Sequence, residues 1–102
     1  MSTVELGEDL GIESSTELKN RLAPLVAQAG ELTLDASQVA RIHTAAVQVL
    51  CAFVQARRDA GLGTGFHGCT ATFRDAARLL GVTQALGLDV THANLKSVEN
   101  AA

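Results

Sequence analysis

Val4 and Leu6 alternate with Thr3 and Glu5, and after Gly7-Glu8 the alternation resumes with Leu10 and Ile12. Period-two spacing on both sides of a turn dipeptide predicts a short hairpin over residues 3–12. The period then changes. Leu18, Leu22, Leu25, Val26 and Ala29 fall on one helical stripe that ends at Gly30. Ser14 and Glu17 are spaced as a capping box, with Ser14 as N-cap. Pro24 lies inside the stripe and removes a backbone donor, which predicts a kink or a split there. Residues 31–35 read as a strand, and Val39 and Ile42 as buried anchors in a loop or short extended piece. A long helix is predicted from about Thr44, whose hydroxyl is expected to be its N-cap, to Ala60, closed by Gly61. Residues 65–69 read as another strand, weakened by its glycines. Thr70 or Thr72 caps a further helix with Phe73, Ala76, Ala77 and Leu80 as its apolar face and Gly81 as its stop. Residues 82–88 form a short helical or irregular packing segment.

The resulting order, β-β-α-β-α-β-α, predicts an α/β fold: one domain over residues 1–90, with a mixed four- or five-stranded sheet covered by three or four helices. Leu18, Leu22, Leu32, Leu34, Ile42, Leu50, Val54 and Leu80 are its expected core. Residues 91–102 are polar and read as a tail or marginal helix. The chain of 102 residues leaves no room for a second core.

Composition narrows the function classes. With 47% hydrophobic and 19% charged residues the chain is globular in type. A formal charge of −3, no basic cluster larger than Arg57-Arg58, and the absence of Trp and Tyr argue against nucleic acid as a partner. The run from Ile42 to Gln55 is too short and too polar for membrane insertion. The first residues lack the basic-then-apolar pattern of a secretory signal, so a cytoplasmic location with Cys51 and Cys69 as free thiols is expected.

Little of the sequence looks catalytic. His43, His67 and His92 lie about 24 residues apart, without ligand spacing, and no metal or cofactor is expected. Gly61-Leu-Gly-Thr-Gly65 lacks the Lys-Ser/Thr of a phosphate loop and reads as a turn. A small enzyme using Cys69 and His67 is the outlying reading, because such a pair needs a convergence the spacing does not announce. The long helix has two apolar stripes. Val47, Leu50, Cys51 and Val54 form one. Ala46, Val49, Phe53, Ala56 and Ala60 form the other. Either neighbouring helices bury both, or Val49 and Phe53 belong to an exposed patch for a partner or a homodimer.

The stretch Leu32-Thr-Leu-Asp35-Ala-Ser37-Gln-Val39-Ala-Arg-Ile42-His43-Thr44-Ala45-Ala46-Val47 resembles the STAS domain family of anti-sigma-factor antagonists and their relatives. The family pattern is an apolar strand, Asp-x-Ser, an aliphatic pair, then Asp-Ser-Ser/Thr-Gly-Leu-Gly opening a helix. Asp35 and Ser37 match the Asp-x-Ser, Val39 and Ile42 the aliphatic pair, and Val47 the first leucine. Thr44 falls on the phosphorylatable Ser/Thr. The segment from Thr70-Ala-Thr-Phe73 to Leu80-Gly81-Val82 resembles the family's C-terminal helix and its aliphatic-Gly-aliphatic end. Three positions depart: His43 stands in place of Asp, Ala45 in place of the second Ser/Thr, and Ala46 in place of Gly. The His-Thr-Ala run is similar to a divergent branch associated with bacterial chemotaxis gene clusters.

The resemblance implies a non-catalytic interaction module. It would dock on a regulatory partner, such as a serine-kinase anti-sigma factor or a chemotaxis signalling component. The contact surface would be His43, Thr44, Ala45, Ala46, Val49 and Phe53, with Thr44 as phospho-switch. The alternative it implies is an accessory subunit of an ABC-type lipid transporter, in which Thr44 is a contact and not a switch.

Overall fold

A computed structural model describes residues 2–88, so the expected tail over 91–102 lies outside the described residues. Among the described residues five strands are formed: β1 (Ser2–Glu5), β2 (Asp9–Leu10), β3 (Leu32–Asp35), β4 (Arg41–Ile42) and β5 (Thr64–His67). They alternate with three α-helices: α1 (Ser14–Leu22), α2 (Thr44–Asp59) and α3 (Ala71–Leu79). The α/β architecture is the expected one.

The pairing differs from the hairpin expected over residues 3–12. β1 pairs parallel with β3, and β3 with β5, giving the order β1-β3-β5. β2 pairs parallel with β4 in a separate two-stranded sheet. Gly7, at φ +87°, turns the chain away from β1. The Glu8 carbonyl then accepts from the N–H groups of Ala40 and Arg41, and β2 is drawn to β4. Alternation correctly marked two extended pieces, but it carries no information about which strand each one meets.

β3 is the centre of the larger sheet. Leu32 and Leu34 are fully buried on its helix-covered face, with Val4 and Phe66 beside Leu34 in register. The other face carries the row Glu5–Asp35–His67 at the C-terminal strand ends. Helices thus cover the face that carries the leucines, while the polar row lies exposed or half-exposed.

α1 begins without a capping box. Its N-cap is Glu13, which makes no side-chain cap, and the Ser15 hydroxyl donates to the Ile12 carbonyl. Pro24 splits the stripe as expected: α1 stops at Leu22, and a 3₁₀ turn follows over Ala23–Leu25. α2 ends where the sequence placed it. Gly61, at φ +78°, donates to the Arg58 carbonyl, and Leu62 donates to that of Arg57. At α3 the choice of cap falls on Thr70. Its hydroxyl accepts from the N–H of Phe73 and donates to the Val39 carbonyl at 2.7 Å, tying the helix start to the β3–β4 loop.

The core contains Leu18, Leu22, Leu32, Leu34, Leu50 and Val54 as expected, together with Phe53, Phe73, Ala77 and Leu86. Two expected members differ. Ile42 is half-buried on the short edge strand. Leu80 is 42% exposed, because α3 ends one residue earlier and its inward face consists of Phe73 and Ala77. Leu86, on the turns after α3, contributes the leucine instead.

Candidate functional site

β4 and the start of α2 carry the residues that the sequence singled out. His43 is extended at φ −100°, ψ 153°, and its N–H donates to the Leu10 carbonyl at 2.8 Å. Its Nδ1 accepts from the N–H of Ala45 at 3.0 Å, so His43 is the N-cap of α2. Thr44 is the first helical residue, and the expectation that it caps the helix is corrected. The hydroxyl has the wrong position for that task, one residue too late. Where the family pattern has Asp, a standard N-cap, this chain has an imidazole nitrogen doing the same work. The substitution keeps the cap and removes the carboxylate charge beside Thr44.

Both His43 and Thr44 are exposed. The parallel pairing of β2 and β4 ends at Leu10 and Ile42. Ile12, two residues past β2, is 62% exposed. No sequence signal flagged Ile12 as surface, since it continued the alternation of Leu10.

The rest of the expected contact surface is divided. Ala45 and Val49 are half-buried. Ala46 is fully buried, and Phe53 is only 4% exposed. The exposed patch that joined Phe53 to Val49 does not form, because Phe53 packs into the core. The apolar second stripe is instead explained by packing against α1.

The Asp-x-Ser match sits at the end of β3 and has a structural logic of its own. The Asp35 carboxylate accepts from the Ser37 N–H at 2.9 Å, a side chain closing a turn on its own backbone. The Ser37 hydroxyl and N–H together, helped by the nearby His67, hold the Asp35 carboxyl below its ordinary range. The Ala36 N–H donates to the His67 carbonyl, joining this turn to the end of β5. Gly68 then passes so close that a Cβ there would lie 2.7 Å from the Ser37 Cβ, and its φ is +67°. Any side chain at 68 would push the turn away from β5.

Arg57 was read only as half of a small basic pair. It is fully buried. Its Nε donates to the Thr64 hydroxyl at 2.7 Å. One terminal nitrogen donates to the carbonyls of Leu25 and Gln28, the other to those of Gly30 and Gly63. All of the guanidinium's five donors are thereby used. The group fastens the end of α2 to the loops that enter β3 and β5, and lies 6.0 Å from the Phe53 ring centroid. The signal was its spacing: Arg57 stands four residues after Phe53 and seven after Leu50, on the buried face.

The thiols do not have the character of nucleophiles. Cys51 and Cys69 are half-buried, and burial pushes both thiols up, the opposite of an activated cysteine. Among the described residues no group of three or more His, Cys, Asp or Glu is arranged to hold a metal ion. His92 lies outside them. Among the described residues, too, no helix is long and apolar enough to cross a membrane.

Comparison with known proteins places this geometry. No curated protein matches the chain significantly in sequence. Its fold is similar to the solved structure of the anti-sigma factor antagonist SpoIIAA in its unphosphorylated form. The TM-score is 0.67 at 8% identity, covering 97% of this chain and 91% of that one. The sequence model of the family described as "Mlab, STAS domain" matches residues 1–91. With nine-tenths of its length matched and the corresponding fold, the chain belongs to the STAS domain family.

Proposed function

We propose that this domain is a non-catalytic interaction module that docks on a regulatory protein through the start of α2. The observation that carries this reading is the exposed pair His43–Thr44 at the start of α2, on an otherwise well-packed framework. Ile12, 62% exposed, would supply the apolar part that a small contact surface requires. Ala45 contributes the half-buried edge. Ala46 and Phe53 support it from below and touch no partner.

Thr44 is the switch in this reading. Phosphate at the first helical residue is exposed and meets the positive end of the helix, so the fold tolerates it. The docked surface, however, gains two charges where it had a small neutral hydroxyl. The similar solved protein is named an anti-sigma factor antagonist and has a form described as unphosphorylated, which supports the same logic here. A serine-kinase anti-sigma factor or a chemotaxis signalling component is the partner class in this reading.

A second reading, an accessory subunit seated on the ATPase of an ABC-type lipid transporter, is favoured by one observation. The carboxylate that the family pattern has beside the phosphosite is absent, and an imidazole performs its capping role. Thr44 is then a contact alone. Affinity capture of the partner, followed by titration with wild-type, Thr44→Glu and Thr44→Ala domains, tests both. The switch predicts at least tenfold weaker binding for Thr44→Glu and kinase-dependent phosphate on Thr44. The accessory role predicts copurification with an ATPase and a permease, with no phosphate incorporated. Equal affinity for all three domains removes Thr44 from the interface.

A further inference from the structure

A ring nitrogen of imidazole accepts a hydrogen bond only through a lone pair, so a nitrogen that accepts carries no proton. His43 Nδ1 accepts from the Ala45 N–H at 3.0 Å. The capping ring is therefore neutral, with its one proton on Nε2. His43 is exposed, and among the described residues none accepts from that nitrogen. The cap thus fixes the polarity of the outward side of the ring as a donor. An aspartate in the same place would cap equally well and leave a charged acceptor outside. The surroundings act in the same sense. The first turn of α2 holds no acid, and the helix dipole puts its positive end there. Asp9, on the strand paired with β4, is held by Arg41 at 3.5 Å.

We propose, resting on the docking role of the α2 start, that His43 selects the partner by donating from Nε2 to an aspartate or glutamate carboxylate of that protein. A bond from this N–H to a carboxylate is charge-assisted and stronger than one to a neutral carbonyl. A partner that offers lysine or arginine at the same point sets donor against donor and is rejected. Two nitrogens of one ring then do separate tasks. Nδ1 holds the helix start, and Nε2 reads the partner.

Two substitutions in the full chain separate the tasks. His43→Asp keeps an acceptor for the Ala45 N–H and loses the donor. His43→Gln loses the cap but carries an amide N–H that reaches as far from Cβ as Nε2 does. The probe is the protein that the wild-type domain captures in the Thr44 experiment, identified and purified before the variants are titrated. His43→Asp should melt like the wild type. In about 50 mM sodium chloride it should bind at least roughly tenfold more weakly, and the defect should shrink in about 300 mM, where repulsion between the two carboxylates is screened. His43→Gln should melt at a lower temperature yet bind within about threefold of the wild type. Ring ¹⁵N shifts of the free wild-type domain at about pH 8, where an ordinary imidazole is neutral, should place the proton on Nε2. The assignment is overturned by a proton on Nδ1, by unaltered affinity of His43→Asp, or by His43→Gln binding as weakly as His43→Asp. A His43→Asp defect that ignores salt also overturns it, because the acceptor is then a carbonyl. In each of these cases the docking reading survives if Thr44→Glu still weakens binding. Capture of no protein, or binding indifferent to both positions 43 and 44, overturns the docking reading and this assignment with it.

Discussion

The two ends of α2 face opposite tasks. At its start, His43 and Thr44 stand in solvent, held by one cap from an imidazole nitrogen. At its end, Arg57 is fully buried and bonded to five oxygens on two segments of the chain. One end is replaceable surface and the other is a fixed joint. A helix of 16 residues secured at its far end presents its near end in a constant pose without making that end part of the core. Sequence changes at positions 43–45 can therefore alter the exposed surface there while the fold stays the same.

The sharpest way to break this contrast is at the joint. Arg57→Met should destabilise the domain by about 3–5 kcal/mol, because carbonyls of Leu25, Gln28, Gly30 and Gly63 lose their donor. Its neighbour Arg58 is exposed and bonds the Ala85 carbonyl at 3.2 Å, so Arg58→Met should stay within about 0.5 kcal/mol. Urea unfolding of the two variants side by side measures the difference. Equal effects would mean that the buried arginine is not the anchor.

At the near end the effects should be smaller. His43→Ala should cost about 1 kcal/mol by removing the cap, and His43→Asp should restore it with a carboxylate acceptor. Thr44→Ala should change stability by less than about 0.5 kcal/mol, since the hydroxyl is not the cap. Thr44→Glu should be neutral or stabilising by a few tenths, about 0.3 kcal/mol or more, from an acid in the first turn. Thermal melts of the four variants give this ranking, and a large loss in either Thr44 variant would contradict the solvent-facing placement.

The smallest effect concerns Asp35, outside the helix altogether. Its carboxyl lies below the ordinary range when folded, so it supports the fold above the unfolded value and loses that support as pH falls through the folded one. Carbon-13 detection of the Asp35 side chain should give a midpoint below that of an unstructured peptide of the same sequence. Ser37→Ala, which removes the first of the hydrogen-bonding causes, should move the midpoint upward.

Helices and most of the core were legible because their signal is local. The Leu18–Leu22 and Leu50–Val54 spacings bury those residues wherever the helices dock. Gly61 and Pro24 act on the backbone itself, so they too could be read in place. The misreadings came from information that the local pattern lacks. Alternation at residues 3–12 described two strands but not their partners, which are supplied by residues about thirty positions away. The Ser14–Glu17 spacing fitted a capping box, yet α1 starts at Ser14 itself and leaves no N-cap role for that hydroxyl. Leu80 was placed on a helical stripe that ends before reaching it. Of the site, Thr44 and His43 are found through a family pattern, but the cap belongs to His43 and not to Thr44, because one residue of register separates a cap from the first helical position. Arg57 was missed because a pair of arginines near a helix end usually remains in water. Its stripe position was the contrary signal.

The buried guanidinium also bears on the order in which the chain assembles. Its acceptors on residues 25–30 lie 27 to 32 positions away in sequence, and the others come from the turn before β5. Until both loops are in place, inserting the charge would strip it of water with too few oxygens to replace the loss. Insertion should follow the main barrier, so these bonds are made after the transition state. Arg57→Met should then accelerate unfolding and leave the refolding rate nearly unchanged, which stopped-flow chevron analysis resolves as a shift of one limb alone. Refolding slowed by a comparable factor would place the arginine in the nucleus. On this account Arg57 does little to guide the chain into the native state and a great deal to delay its departure.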